Sequence, residues 1–189
     1  MKQTERFVPG GYYHIYNHGN ANEDIFKCPG NYDYFLRKHH EYMKDTWNLL
    51  AWCLLPTQFH LIVQINETAN TEILDFNKLV ANRFGNFANG YAKAINKVYL
   101  RRGSLFMRAF RRKQVTDKNY LRELIRDLHF TPVRDQLVIA PEKWIYSSFR
   151  GALLHPTQFP EVMEIFGGVE SFLKMHGRKN DSESWRAAA

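Results

Sequence analysis

The sequence predicts a fold that mixes strands with helices, and three observations carry the prediction. Leu49 to Ile65, LLAWCLLPTQFHLIVQI, is two short apolar runs joined at Pro56-Thr57-Gln58-Phe59, the pattern of two adjacent central strands. Leu79 to Tyr99 places Val80, Phe84, Phe87, Tyr91, Ile95 and Val98 three or four residues apart, the period of a long amphipathic helix. Upstream, a strand and a helix precede the central pair, so the elements alternate.

Composition sets the bounds. The chain has 189 residues, 44% hydrophobic and 24% charged, enough for one core or for one domain with a tail. No apolar stretch is long enough to span a bilayer and the first residues lack a signal-peptide layout, so the expected location is the cytoplasm, with no membrane partner. Cys28 and Cys53 form no CxxC motif, which disfavours structural zinc and a disulfide framework. The net charge of +7 favours a polyanionic partner.

In chain order, Tyr12 to His18 reads as a first strand ended by Gly19-Asn20. His14, Tyr16 and His18 share one of its faces, either lining a site or lying on a half-wet surface. Asn31 is the expected N-cap of a helix reaching about Asp45, with Tyr34, Phe35, His39 and Tyr42 toward the core. Within the central pair Gln58 and His60 lie two residues apart and point to one face, with Phe59 on the other. Two polar side chains in an apolar sheet are costly unless something satisfies them, and an ion or a phosphate would.

Asn66 to Asn70 reads as a loop. Gly85 and Gly90 inside the long helix each cost about 1 kcal/mol relative to alanine, so they mark close packing or access for a substrate. Gly103-Ser104 opens an expected extended basic segment. From Arg101 to Lys113 run six cations and no acid, Arg101, Arg102, Arg108, Arg111, Arg112 and Lys113, interleaved with Leu105, Phe106, Met107 and Phe110. Such a ribbon suits phosphate tracking, against the alternative of a solvated edge strand that resists aggregation. Thr116-Asp117 caps a helix from Lys118 to about Phe130, stopped by Pro132, with Tyr120, Leu121, Leu124, Ile125 and Leu128 as its core face. Pro141 to Leu154 reads as a turn and a short helix, Val169 to His176 as a last helix, and the end as a polar tail.

These residues together carry a resemblance. Tyr13-His14-Ile15-Tyr16-Asn17 followed by Gly19-Asn20, Ile25-Phe26, Tyr32 to Leu36, AWCLLPTQFHLIV, RRGSLFMRAFRRK and LHFTPVRDQLV before PEKWIYSSFR occur in order over Tyr12 to Leu154. The set resembles the small single-tyrosine HUH transposases, the insertion-sequence-200-like group that includes the REP-associated tyrosine transposases. The resemblance implies an α+β, ferredoxin-like antiparallel sheet with helices packed on one face over residues 1–154, and a short C-terminal helical extension over 155–189. It implies DNA as partner, single-stranded or hairpin, with a second copy of the chain as a further candidate.

In that group a His-hydrophobic-His motif binds a divalent ion that polarises the scissile phosphate, and a tyrosine on the later helix attacks it. Here Gln58-Phe59-His60 stands at the first motif, a weakened metal site whose glutamine oxygen suits magnesium or manganese. Asp127 stands where the motif Tyr-Ile-His-Leu-Asn-Pro-Val has its tyrosine, and Thr131 replaces the Asn. A carboxylate gives no stable phosphoenzyme and repels phosphate, so the expectation is a DNA-binding protein deficient in tyrosine-dependent cleavage. Two alternatives stand beside it. One is an active nuclease or transposase that uses Tyr120, seven residues earlier on the helix, or an ion on Gln58, His60 and Asp127 that activates water. The other is a non-catalytic protein-interaction domain. His129 reads as a core or helix-end residue.

Overall fold

The computed structural model describes residues 5–67, 75–107 and 109–177. Arg108, the residues 68–70 of the expected loop and the polar tail lie outside them. The elements run β1 (Tyr12–His18), α1 (Pro29–Met43), β2 (Trp47–Leu55), β3 (Gln58–Ile65), α2 (Phe76–Val98), β4 (Arg111–Val115), α3 (Lys118–Arg134), α4 (Ser148–Leu154), α5 (Pro160–Phe166) and α6 (Val169–Met175). The four strands form one sheet in the order β2-β3-β1-β4, with β1 antiparallel to both its neighbours. A β-α-β-β-α-β succession in that order is the ferredoxin-like α+β arrangement expected from the resemblance. None of the described helices is long and apolar enough to cross a membrane.

The chain divides into two compact units, residues 1–49 with 54–116, and residues 50–53 with 117–189. In the first, alternation along the strands sends Tyr13, Ile15, Phe59 and Leu61 inward, all fully buried. Phe35 of α1 and Phe84 of α2 meet Phe59, at ring-centroid distances of 5.1 and 6.2 Å. Both helices therefore cover the Phe59 face. Burying a phenylalanine here contributes about 1.5–3 kcal/mol, enough to specify which face of each element turns in.

Several boundaries differ from expectation, each for a local reason. Helix α1 starts at Pro29, and Asn31 is not its cap; its side chain accepts from the Lys27 N–H at 2.9 Å instead. The inward stripe of α1 is Tyr32, Phe35, His39 and Met43, which leaves Tyr42 exposed. Buried His39 accepts from Trp47 Nε1–H at 3.1 Å. Helix α2 begins three residues early because the Asp75 carboxylate accepts from Lys78 N–H at 3.0 Å. Gly85 and Gly90 are not close-packing positions: a Cβ on Gly85 would meet nothing within 4 Å, and one on Gly90 only the Tyr42 hydroxyl.

The largest correction concerns the basic segment. Among the described residues of this segment, only Arg111–Val115 is a strand. The preceding segment is tied to the end of β1 instead, where Asn20 N–H donates to Leu105 O at 2.9 Å and Met107 N–H to His18 O at 3.1 Å.

In the second unit, Asp117 caps α3 by accepting from Tyr120 N–H at 2.6 Å. Pro132 does not stop that helix. It lies in the last turn, where its missing N–H costs one hydrogen bond, while Asp135 N–H still donates to Thr131 O at 2.9 Å. The buried face is Leu121, Ile125, Leu128, His129 and Pro132; Tyr120, expected there, is exposed. Pro132 is thus part of the core stripe. The α4 residue Ser148 accepts from Trp52 N–H at 3.0 Å, and Cys53 forms an isolated bridge with Ser147. These contacts occupy an edge strand that would otherwise offer open backbone groups.

Candidate functional site

Period-two alternation places His14, Tyr16 and His18 on one face of β1, and Gln58 and His60 on one face of β3, all half-buried. Backbone pairing then decides which of them meet. Tyr16 lies opposite His60 and His18 opposite Gln58, so the two polar rows share the sheet face away from Phe59. His14 Nε2 and His60 Nδ1 are 3.0 Å apart. The Tyr16 ring is stacked with both imidazoles, its centroid 4.7 Å from His14 and 5.8 Å from His60.

On the other side of β1, Lys113 is paired with His14 and Arg111 with Tyr16, and both cations are exposed. They belong to the same face as His60. Burial holds the His14 imidazole down to about 3, helped by His60 and Lys113, so it is neutral at pH 7. The face is therefore a strip of stacked rings, the neutral His14 among them, bordered by two positive side chains.

The remaining members of the expected basic ribbon are elsewhere. Arg112 is on the opposite face, its guanidinium 4.2 Å from the Phe7 ring centre and 3.1 Å from Asn77 Oδ1. Arg101 is bound by both carboxylate oxygens of Glu23, with Nε to Oε1 at 2.6 Å. Arg102 is exposed. Alternation within the strand turns Arg112 inward between Arg111 and Lys113, while Arg101 and Arg102 lie outside the strand. Gly85 opens instead onto a groove of about 700 Å³ along α2, lined by Ala88, Ala92, Asn89 and Phe110 among others.

Asp127 and Tyr120 are both on α3, in the second unit. The Asp127 carboxylate is 3.5 Å from Arg126 and 3.7 Å from Arg134, and half-exposed. The Thr131 hydroxyl donates to Asp127 O at 3.0 Å, so the residue in the asparagine position is turned to its own helix. His129 is a core residue, hydrogen-bonded to His176 and Ser148.

Imidazole nitrogen and amide oxygen are both ligands of divalent ions, so the residues on the sheet face fit such an ion. Among the described residues no group of three or more His, Cys, Asp or Glu converges on one point. Sequence reasoning placed His14 and Tyr16 on a shared face but did not join them to His60. The β1–β3 register does that, and no local signal carries it.

Fold and site together define a ferredoxin-like domain with a polar, cation-bordered sheet face. No family model matches the sequence, and no curated protein matches it. Among solved structures, a REP-associated tyrosine transposase bound to a REP hairpin is similar over 82% of this chain and 87% of that one, with a TM-score of 0.65 and 15% identity. A candidate transposase from Deinococcus radiodurans R1 aligns over 68% of this chain and 98% of its own at 15% identity, with a TM-score of 0.40 that is too low to establish a common fold. The first likeness shows the fold, the same one implied by the resemblance in the sequence.

Proposed function

We propose that the chain is a DNA-binding protein of the single-tyrosine HUH transposase group, deficient in tyrosine-dependent cleavage. The supporting observation is the sheet face that carries His60, with Arg111 and Lys113 beside it, in a fold shared with a REP-associated tyrosine transposase bound to a REP hairpin. Single-stranded or hairpin DNA suits that face, because cations hold the phosphates while flat rings accept unpaired bases. A divalent ion bound there would supply Lewis-acid polarisation of a phosphate. His60 and Gln58 are its expected holders. The missing element is the nucleophile: Asp127 brings a carboxylate, paired with two arginines, where a phenol is needed.

A second reading, active cleavage, is favoured by one observation. The phenol of Tyr16 stands against His60 on the same face. One incubation tests both readings, using labelled hairpin DNA with a single-stranded flank, manganese, and a denaturing gel. The expected outcome is retained binding that weakens steeply with salt and no covalent adduct. An adduct abolished by Tyr16→Phe or Tyr120→Phe would overturn the deficient reading, and hydrolysis without adduct would assign the chemistry to water. No binding at low salt would remove DNA and leave a protein-interaction domain.

A further inference from the structure

The helical face of the first unit carries a groove that the His60 face does not use. Helix α2 turns Ala81, Gly85, Ala88 and Ala92 along one flank, beside its buried stripe, and such small side chains leave about 700 Å³ between the helix and the segment that carries Gly103, Phe106 and Phe110. A Cβ on Gly85 would meet nothing within 4 Å, so the floor there is open space. Asn17 lines the groove from β1. It pairs with Phe59, and alternation puts it on the opposite side of the sheet from Tyr16 and His18. The far wall is built in advance: Asn96 Nδ2–H donates to Gly103 O at 2.9 Å, Arg101 N–H donates to Asn96 O at 2.8 Å, and Phe110 is held edge-on against Phe84 with ring centres 4.6 Å apart.

Among the described residues the lining holds one cation, Lys93, and no carboxylate, imidazole or thiol, so the groove is not built for a metal ion. Asn96 and Ser104 spend their side chains on the wall, Ser104 Oγ–H donating to Phe106 O at 2.5 Å. Asn89 and Lys93 stand one turn apart at the mouth, both exposed. A single exposed lysine holds a bare phosphate weakly, and a ligand that also offers a flat ring gains more. An aromatic wall, an amide that both donates and accepts, and a neighbouring cation match the face of a base, its edge and its phosphate. The volume falls in the range of roughly 300–1,000 Å³ that small-ligand sites occupy. We propose that this groove is a second binding site, for one nucleotide unit, with the base against Phe110, its edge on Asn89 and its phosphate on Lys93. The site goes beyond the proposed function and does not depend on it, because it lies on the other side of the sheet from His60.

The test is a titration of the 189-residue chain with adenosine monophosphate, followed through the backbone amide signals in NMR, with adenosine, inorganic phosphate and a short oligodeoxyadenylate in parallel. Saturable shifts are expected at Gly85, Asn89 and Lys93, with adenosine and phosphate each binding more weakly than the nucleotide. Lys93→Gln should weaken the monophosphate about fivefold and leave adenosine unchanged. Gly85→Leu, whose Cβ meets open space and which favours the helix, should fill the groove and abolish the shifts without lowering the melting temperature. The shift pattern itself needs no variant. Tighter binding of the oligonucleotide at the same amides would identify an unpaired strand as the source of the nucleotide, and binding of the monophosphate alone would identify a free one. The proposal is overturned by the absence of saturable shifts with either, by an equal response to phosphate alone, or by nucleotide shifts that survive Gly85→Leu. A hairpin without a single-stranded flank should bind Gly85→Leu as it binds the native chain, so a failed groove and a failed DNA reading are told apart.

Discussion

Arg111 and Lys113 stand among exposed cations on the His60 face, whereas Arg112 packs on Phe7 and Arg101 is clasped by Glu23. Cations that neutralise phosphate set the salt dependence of binding; cations used inside the fold do not. Arg111→Ala and Lys113→Ala should each lower the slope of log affinity against log salt by about 0.7–0.9, measured by fluorescence anisotropy across a salt series. Arg112→Ala should instead lower the melting temperature, through the lost contact with Phe7. A slope change in Arg112→Ala equal to that in Lys113→Ala would contradict this division. The two cysteines separate in the same way. Cys28 is exposed and its thiol is pushed down by the hydroxyl of Tyr99, 3.3 Å away, whereas burial pushes Cys53 up. A thiol reagent should modify Cys28 in the native protein, more slowly in Tyr99→Phe, and reach Cys53 only on unfolding.

At the level of elements, the second unit holds a hydrogen-bonded chain whose direction can be derived. His176 Nδ1–H donates to Phe172 O at 2.8 Å, which leaves its Nε2 to accept from His129 Nδ1–H at 3.0 Å. His129 Nε2 must then accept from the Ser148 hydroxyl at 2.8 Å, and Ser148 Oγ accepts from Trp52 N–H at 3.0 Å. The chain ties α3, α4 and α6 to residue 52 and is satisfied only with both imidazoles neutral. Ser148→Ala breaks it twice and should destabilise the protein by about 1–3 kcal/mol in urea unfolding. A change below the error of that measurement would show that the chain carries no stability. The start of this unit was legible in the sequence, since Asp117 is a capping residue before a periodic run, and Pro132 misled because proline's effect depends on its distance from the helix end. The strand reading of 101–110 failed because that segment's backbone is bonded to the end of β1, Asn20 N–H to Leu105 O and Met107 N–H to His18 O, and the composition of the segment carries no trace of those partners.

For the whole molecule, buried histidines set the response to acid. Burial lowers His39 to about 3, His176 to about 4, and His129 well below its ordinary value, while each titrates near 6.5 in the unfolded chain. Protons are therefore taken up on unfolding, so these groups contribute stability in full above pH 6.5 and lose it as the pH falls toward 3–4. Below 6.5 each removes up to about 1.4 kcal/mol per pH unit, so the urea midpoint should be flat from pH 8 to 7 and drop steeply between 6 and 4. A midpoint unchanged down to pH 5 would show that these imidazoles are not held neutral.

What the sequence determined by itself was local: the succession of strands and helices, and through the two-residue period which side chains share a strand face, so that His14 stood with Tyr16 and Gln58 with His60. What only the tertiary structure decided was which strands are neighbours and in what register, hence that His14 meets His60 while Arg112 turns away from it. The physical reason is range. Alternation is a property of adjacent peptide units, whereas pairing between residues 46 apart depends on the aromatic core beneath the sheet, to which the whole first unit contributes.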